Sequence, residues 1–315
     1  MIKKHIIKKI IISSAILFTI SLMCIMPSKQ NNLNIKQELI YEEDNINKEN
    51  IYLLDHNNYL ARTSVIINDT DIELKAKDLL NILIKDSKDE DKIPNGFKGI
   101  IPSNTEILSL EYKDKLIKVN FNKYLLDVKK EYEEKIIEAI VYTLTSIENV
   151  EKVIIYIEGD ILSILPQTKK NLPSTLDRSY GINKEYNIKS YKDVNKVTIY
   201  YLNNYNDNYY YVPVTKYIND SREKSEIIID ELSNMDNNLK SYLNSNTVLL
   251  TSKIEDNKIL LNFNKYIFDN IDERNILEEV KNSISLSMKE NYNIEEVVFE
   301  FEEKEICKSV IKTIE

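Results

Sequence analysis

The chain has 315 residues, 43% of them hydrophobic and 30% charged, with a net charge of −9. That is enough apolar material for about two packed domains, and only four glycines leave little for phosphate-cradling loops. The first 27 residues contribute +4, so the remainder stands at −13, a body that repels nucleic acid.

The N-terminal segment opens with a basic head, Lys3, Lys4, Lys8 and Lys9. An uncharged run from Ile10 to Met26 follows and closes at Pro27. A basic head before an apolar run is an export signal. The run is longer than the core of a cleaved signal, it sits at the short edge of a membrane span, and no small-x-small cleavage site follows it. Residues 1–27 are therefore expected as a retained membrane anchor, with the lysines cytoplasmic and the body outside. Cys24 offers a second form of tether, lipid attachment, although Met23 stands where a small residue is expected. Either tether holds the body outside the cytoplasmic membrane. Residues 28–50 are polar, mixed in charge and expected as a linker.

A first domain is expected over 51–165. It begins with short strands at 51–54 and 59–67, joined by turn chemistry at Asp55 to Asn58. A helix follows with Ile72, Ala76, Leu79, Leu80 and Leu83 on one face, and Asp69, Thr70 or Asp71 can cap it. A hairpin at 106–112 and 116–121 leads to a second helix at 130–147, with Ile136, Ile140, Leu144 and Ile147 inward. Strand 153–158 stops at Gly159. Residues 166–194, with Pro173 and Gly181, are expected as a linker or an irregular extension of this domain.

A second domain, 195–306, repeats the order. Strands at 197–202 and 209–218 precede a helix at 222–235, a hairpin at 248–254 and 258–263, a helix at 273–292 and a strand at 296–302. Residues 307–315 are expected as a tail. The duplication is visible letter by letter, because 101–127 and 243–269 align without a gap and Asn-Phe-Asn-Lys-Tyr stands at both 120–124 and 262–266. An offset of 142 residues is far longer than a solenoid period of roughly 20–50 residues. The expected fold class is α+β: two β-β-α-β-β-α-β units, each a mainly antiparallel sheet with two helices on one face.

Within the repeated word, Phe121 and Phe263 are expected in the cores. The asparagines suit turns, and Asp127 and Asp269 lie near helix starts. Tyr210 should face away from Tyr209 and Tyr211. His56, the one histidine of the body, falls in a turn, where no Ser-His-Asp or Cys-His arrangement is spelled out. No Cys/His cluster has zinc spacing. Cys24 and Cys307 are the two cysteines, and Cys24 in the membrane leaves Cys307 unpaired. No catalytic residue, cofactor, metal site or small-molecule ligand is expected.

Three words carry a family resemblance: Val212-Pro213-Val214-Thr215-Lys216, Ile101-Pro102-Ser103-Asn104-Thr105 and Leu116-Ile117-Lys118-Val119-Asn120-Phe121. Together with Ile157-Glu158-Gly159-Asp160 and the duplication, they show that the chain resembles the GerM family of sporulation and germination proteins, built from tandem GerMN domains behind a membrane or lipid anchor. The second copy departs from the pattern at Asn244 and after Glu302. The resemblance implies a non-enzymatic assembly module with other envelope sporulation proteins as partners, in a ring-forming complex between mother cell and forespore. A peptidoglycan-acting enzyme or regulator, and a tethered binder of a germinant, are the rival readings.

Overall fold

The computed structural model describes residues 48–234 and 239–310. The expected anchor over 1–27, with Cys24, lies outside them, as does residues 28–47 of the expected linker. Among the described residues, no helix is long and apolar enough to cross a membrane.

The first repeat comprises β1 (Lys48–Asp55), β2 (Leu60–Ile66), α1 (Ile72–Leu83), β3 (Phe97–Lys98), β4 (Ile107–Lys113), β5 (Leu116–Phe121), α2 (Lys130–Leu144), β6 (Lys152–Ile157) and β7 (Asp160–Ile161). A short strand, β8 (Glu185–Asn187), lies between the repeats. The second repeat comprises β9 (Val194–Tyr205), β10 (Asn208–Asn219), α3 (Lys224–Ser233), β11 (Leu249–Glu255), β12 (Lys258–Phe263), α4 (Glu278–Asn291), β13 (Glu296–Phe301) and β14 (Lys304–Val310).

The fold is α+β, and among the described residues the strands form three sheets. Strands β4-β5-β6-β7 form one four-stranded sheet and β11-β12-β13-β14 another. In each, the hairpin is antiparallel, but the strand after the helix returns parallel to it: β5 with β6 and β12 with β13. A strand that follows a hairpin through a helix re-enters the sheet in the direction the crossover dictates, so each sheet is mixed. The opening hairpins β1–β2 and β9–β10 leave their own repeats' sheets. They join one six-stranded sheet, with β10 paired to β9 along one edge and to β2 and β8 along the other.

Helices α2 and α4 lie deep in the packing, and their burial shows it. Every residue of α2 from Ile136 to Leu144 is buried, so the helix is covered all round and not along the single stripe of Ile136, Ile140 and Leu144. It packs on β1, α1 and β6. Likewise, α4 packs on β9, α3, β13 and β14, with Ser283, Ser285 and Ser287 buried beside Ile284 and Met288. Asp71 caps α1, its side chain accepting from the Leu74 N–H at 3.0 Å. Helix α4 starts at Glu278, later than its periodicity implies. Asn270 is the cause: its carbonyl accepts from Asn275 N and its side chain from Asp272 N, a turn that competes with helix.

The repeated word is explained atom by atom. Asn120 Oδ1 accepts from Gly159 N, and Asn262 Oδ1 from Glu303 N, so the first asparagine holds the turn after the last helix-linked strand. Asn122 Nδ2 donates to Asn104 O at 3.0 Å, and Asn264 Nδ2 to Asn246 O at 2.9 Å. Phe121 and Phe263 are fully buried. Replacing either phenylalanine with alanine should therefore destabilise the protein by about 3–5 kcal/mol, measured by urea unfolding.

Candidate functional site

The polar groups of interest converge where the repeats meet. Strands β2 and β10 pair antiparallel at Arg62 and Tyr211. Two residues further along the same register, Leu60 faces Pro213, which has no N–H to donate. Within its own hairpin, Pro213 stands opposite Tyr200, whose N–H points away to Ser287 Oγ at 2.9 Å, so the proline costs β9 no ladder bond. It does leave Leu60 O without its donor. Asn183 supplies one. Its Nδ2 donates to Leu60 O and to Pro213 O, both at 2.8 Å, and its Oδ1 accepts from Leu60 N at 3.0 Å. One side-chain amide thus stands in for a peptide group between two strands. Asn183 has φ +46°, a region asparagine tolerates better than most residues. Gly181, two residues earlier, has φ +83°, and a Cβ there would lie 3.0 Å from Thr215 Cγ2.

A second link is Asp55, wholly buried at the end of β1. Its carboxylate accepts from Asn57 N and Tyr59 N, which close the turn, and from Asn203 Nδ2 and Tyr210 Oη of the other repeat. All four acceptor positions are in use, so Asp55 cannot serve as a base for a substrate. His56 lies on the surface beside it, its Nδ1 3.3 Å from Tyr210 Oη. Because that hydroxyl donates to Asp55, the imidazole nitrogen is the donor here. A third link is an ion pair. Arg178 Nη1 donates to Glu290 Oε2 at 2.6 Å, and Tyr200 Oη donates to the same oxygen at 3.0 Å. Tyr52 Oη lies 3.0 Å from Tyr200 Oη, and the guanidinium sits over the Tyr142 ring. Burial works against the Arg178 charge, but Glu290 overrides it and holds the guanidinium well above its usual range. Burial pushes the Tyr200 and Tyr142 phenols up, with Glu290 adding to both.

Beside this joint, α2 and β8 frame a cleft of about 420 Å³. Glu134 stands in it between Lys170 and Lys184. Its own burial would raise its pKa, but the two lysines outweigh that and lower it. Deeper in, Glu138 accepts from Asn183 N at 2.8 Å and lies 3.4 Å from Lys184 Nζ. Burial pushes Glu138 up from its ordinary 4.5 to about 7, against the pull of Lys184. Tyr186 and Tyr217, register partners on β8 and β10, stack at 4.8 Å with 11° between their rings.

Among the described residues, no group of three His, Cys, Asp or Glu side chains is placed to hold a metal ion. Cys307 is buried on β14 with its thiol pushed up to about 11 by burial. Tyr210 is buried and Tyr209 half exposed, on opposite faces of β10. Asp127 and Asp269 do not cap the long helices, which have Lys129 and Leu277 at their caps. The segment 166–194 is anchored up to Asn183 and exposed from Lys189 onward: Leu172, Leu176 and Ile182 are buried, and Glu133 of α2 accepts from Gln167 N and Thr168 N. Sequence reasoning missed Asn183, Asp55, Arg178 and Glu290. The available signals were faint: Arg178 is one of four arginines in a lysine-rich chain, and Asn183 follows a glycine between two extended runs.

Two measurements test this joint. Asn183→Ala strands three buried backbone groups and should cost about 3 kcal/mol or more in urea unfolding, at roughly 1–3 kcal/mol per orphaned group before local relaxation. Glu138 has a folded pKa above its unfolded one, so its proton favours the folded state. That contribution is whole below pH 4.5 and is lost as pH rises through 7. Glu138→Gln should therefore lose the decline in stability that the parent shows across that window, and gain most over the parent above pH 7.

Comparison with known proteins places the chain. A family model described as "Germane: Sporulation and spore germination" matches residues 50–163 and 198–307. The chain is 33% identical over 256 residues to the spore germination protein GerM of Bacillus subtilis (strain 168), covering 78% of this chain and 69% of that protein. The solved structure of the tandem GerMN domains of the sporulation protein GerM from Bacillus subtilis superposes with a TM-score of 0.75 at 28% identity, covering 82% of this chain and 91% of that one. With both repeats matched by the family model and the whole two-repeat arrangement matched by a solved relative, the chain belongs to the GerM family and carries two GerMN domains in tandem.

Proposed function

We propose that this chain acts in endospore formation or germination as a membrane-tethered, extracytoplasmic assembly module, part of an envelope-spanning complex between mother cell and forespore. The similarity to a sporulation protein over both repeats carries the reading. The chemistry of the joint supports a non-catalytic role. Asp55 is saturated with donors, and Glu290 is shared between Arg178 and Tyr200, so the most buried carboxylates hold the repeats together. The repeats also present matched surfaces. Leu108 on β4 is 50% exposed and Leu250 on β11 is 55% exposed, and both strands are sheet edges. Tyr124 and Tyr266, the last residues of the repeated word, are 40% and 38% exposed, each beneath its neighbouring lysine. Apolar and aromatic residues at an edge suit a protein interface.

Topology is tested by protease added to intact protoplasts, which should digest the body; complete protection overturns the extracytoplasmic reading. Cys24→Ser should leave the protein membrane-bound if residues 10–26 span, and release it or block its maturation if Cys24 carries lipid. For assembly, Leu108→Glu with Leu250→Glu should cut co-purification of envelope sporulation proteins at least tenfold without changing the melting temperature, because an interface fails when its apolar anchors become charged. Cleavage of peptidoglycan by the purified protein, lost on replacing one Asp or Glu in a folded variant, would overturn the assembly reading in favour of an enzyme.

A further inference from the structure

The cleft between α2 and β8 shares Lys184 with the joint, but its tyrosine pair and Lys170 take no part in holding the repeats together. The geometry points to a glycan-binding subsite there, for the sugar rings of a β-linked amino-sugar strand, with Tyr186 and Tyr217 as the stacking platform. Three observations converge. The first is the platform. Tyr186 is 55% exposed, and Tyr217 covers one side of its ring in a parallel stack at 4.8 Å, so the pair offers exposed aromatic surface beside the cleft. A pyranose presents a flat, slightly electropositive C–H face that matches the negative face of an aromatic ring. The second is the set of polar groups around it. Glu134 is an acceptor fixed by Lys170 and Lys184, and Asn171 lies alongside, so hydroxyl and acetamido groups meet both donors and acceptors. The third is size and extension. The cleft holds about 420 Å³, within the roughly 300–1,000 Å³ of ligand sites. It continues past Glu134 and Lys170 into a second depression reaching Lys129 and Lys130, as a polymer needs.

The alternative occupant, an acidic protein tail, fits the lysines but leaves the tyrosine platform without a purpose. The subsite goes beyond the assembly reading. It rests on that reading only for where the protein would meet a wall glycan, and binding in solution does not depend on location.

The chain contains no tryptophan. Tyr186→Trp therefore places a single indole on the platform of the full-length protein, purified in a detergent without a sugar headgroup. Soluble, peptide-free β-1,4-linked N-acetylated glycan strands are the probe. A saturable shift in indole emission is expected. In the same background, Lys170→Glu should weaken binding at least tenfold while the melting temperature stays within a few degrees. In the parent chain, Tyr186→Ala should lower sedimentation with insoluble wall glycan at least tenfold, and Tyr209→Ala at the distant hairpin tip should not. No emission change with glycan overturns the proposal. So does a change produced by poly-glutamate and not by glycan, which would assign the cleft to a protein tail. Loss of glycan binding with normal digestion of the body on protoplasts would sink the subsite alone, and the reverse pattern would sink the topology alone.

Discussion

Everything in the arrangement of the two repeats turns on one missing hydrogen. Strand β2 ends its own hairpin with an open edge, and the strand that closes it, β10, carries a proline at the second pairing position. A continuous ladder cannot form across Leu60 and Pro213. The chain resolves this by threading Asn183 into the gap, where its amide N–H replaces the backbone donor that proline lacks. The segment holding Asn183 must then lie against β10, which it does through Ile182 and Thr215 and then through β8. The course of the chain around Asn183 thus answers a backbone shortfall thirty residues downstream.

Buried charge follows from the same demand. To set Asn183 in place, Glu138 accepts its N–H, and a buried carboxylate must be matched. Lys184 provides the match and also reaches Glu134. On the other side of the joint, Arg178 and Glu290 join the helix layers of the two repeats through a cluster of tyrosine hydroxyls. These groups add little net stability against well-packed apolar substitutes, but they admit one register, since a slip by one residue would leave each of them unpaired.

Local features of the fold were legible in the sequence because they rest on local rules. Alternation and turn residues located the hairpins, 3.6-residue spacing located the helices, and the duplicated word located Phe121 and Phe263 in the cores. The pairing of β2 with β10 was not legible, because strand partners are chosen by geometry far along the chain and any open edge satisfies the same pattern. Strand β14 was hidden for a related reason: Lys304 to Val310 alternates weakly and carries charge on its outer face. The joint residues stayed invisible because Asn183, Asp55 and Glu290 belong to residue types that are abundant here and almost always solvated. Only their burial distinguishes them.

The contact between Tyr52 and Tyr200 has a meaning of its own. Each is on the first strand of its repeat. Each donates its backbone N–H to a hydroxyl on the second helix of that repeat, Thr143 in one and Ser287 in the other. They are the same residue in two copies, and their hydroxyls meet each other at 3.0 Å. A residue touching its own counterpart is the mark of an isologous two-fold interface. The tandem unit is, in this sense, a homodimer folded into one polypeptide. Covalent linkage makes the pairing first order and independent of protein concentration, and it frees each half to diverge, so that one copy can keep a tyrosine-lined cleft that the other need not reproduce.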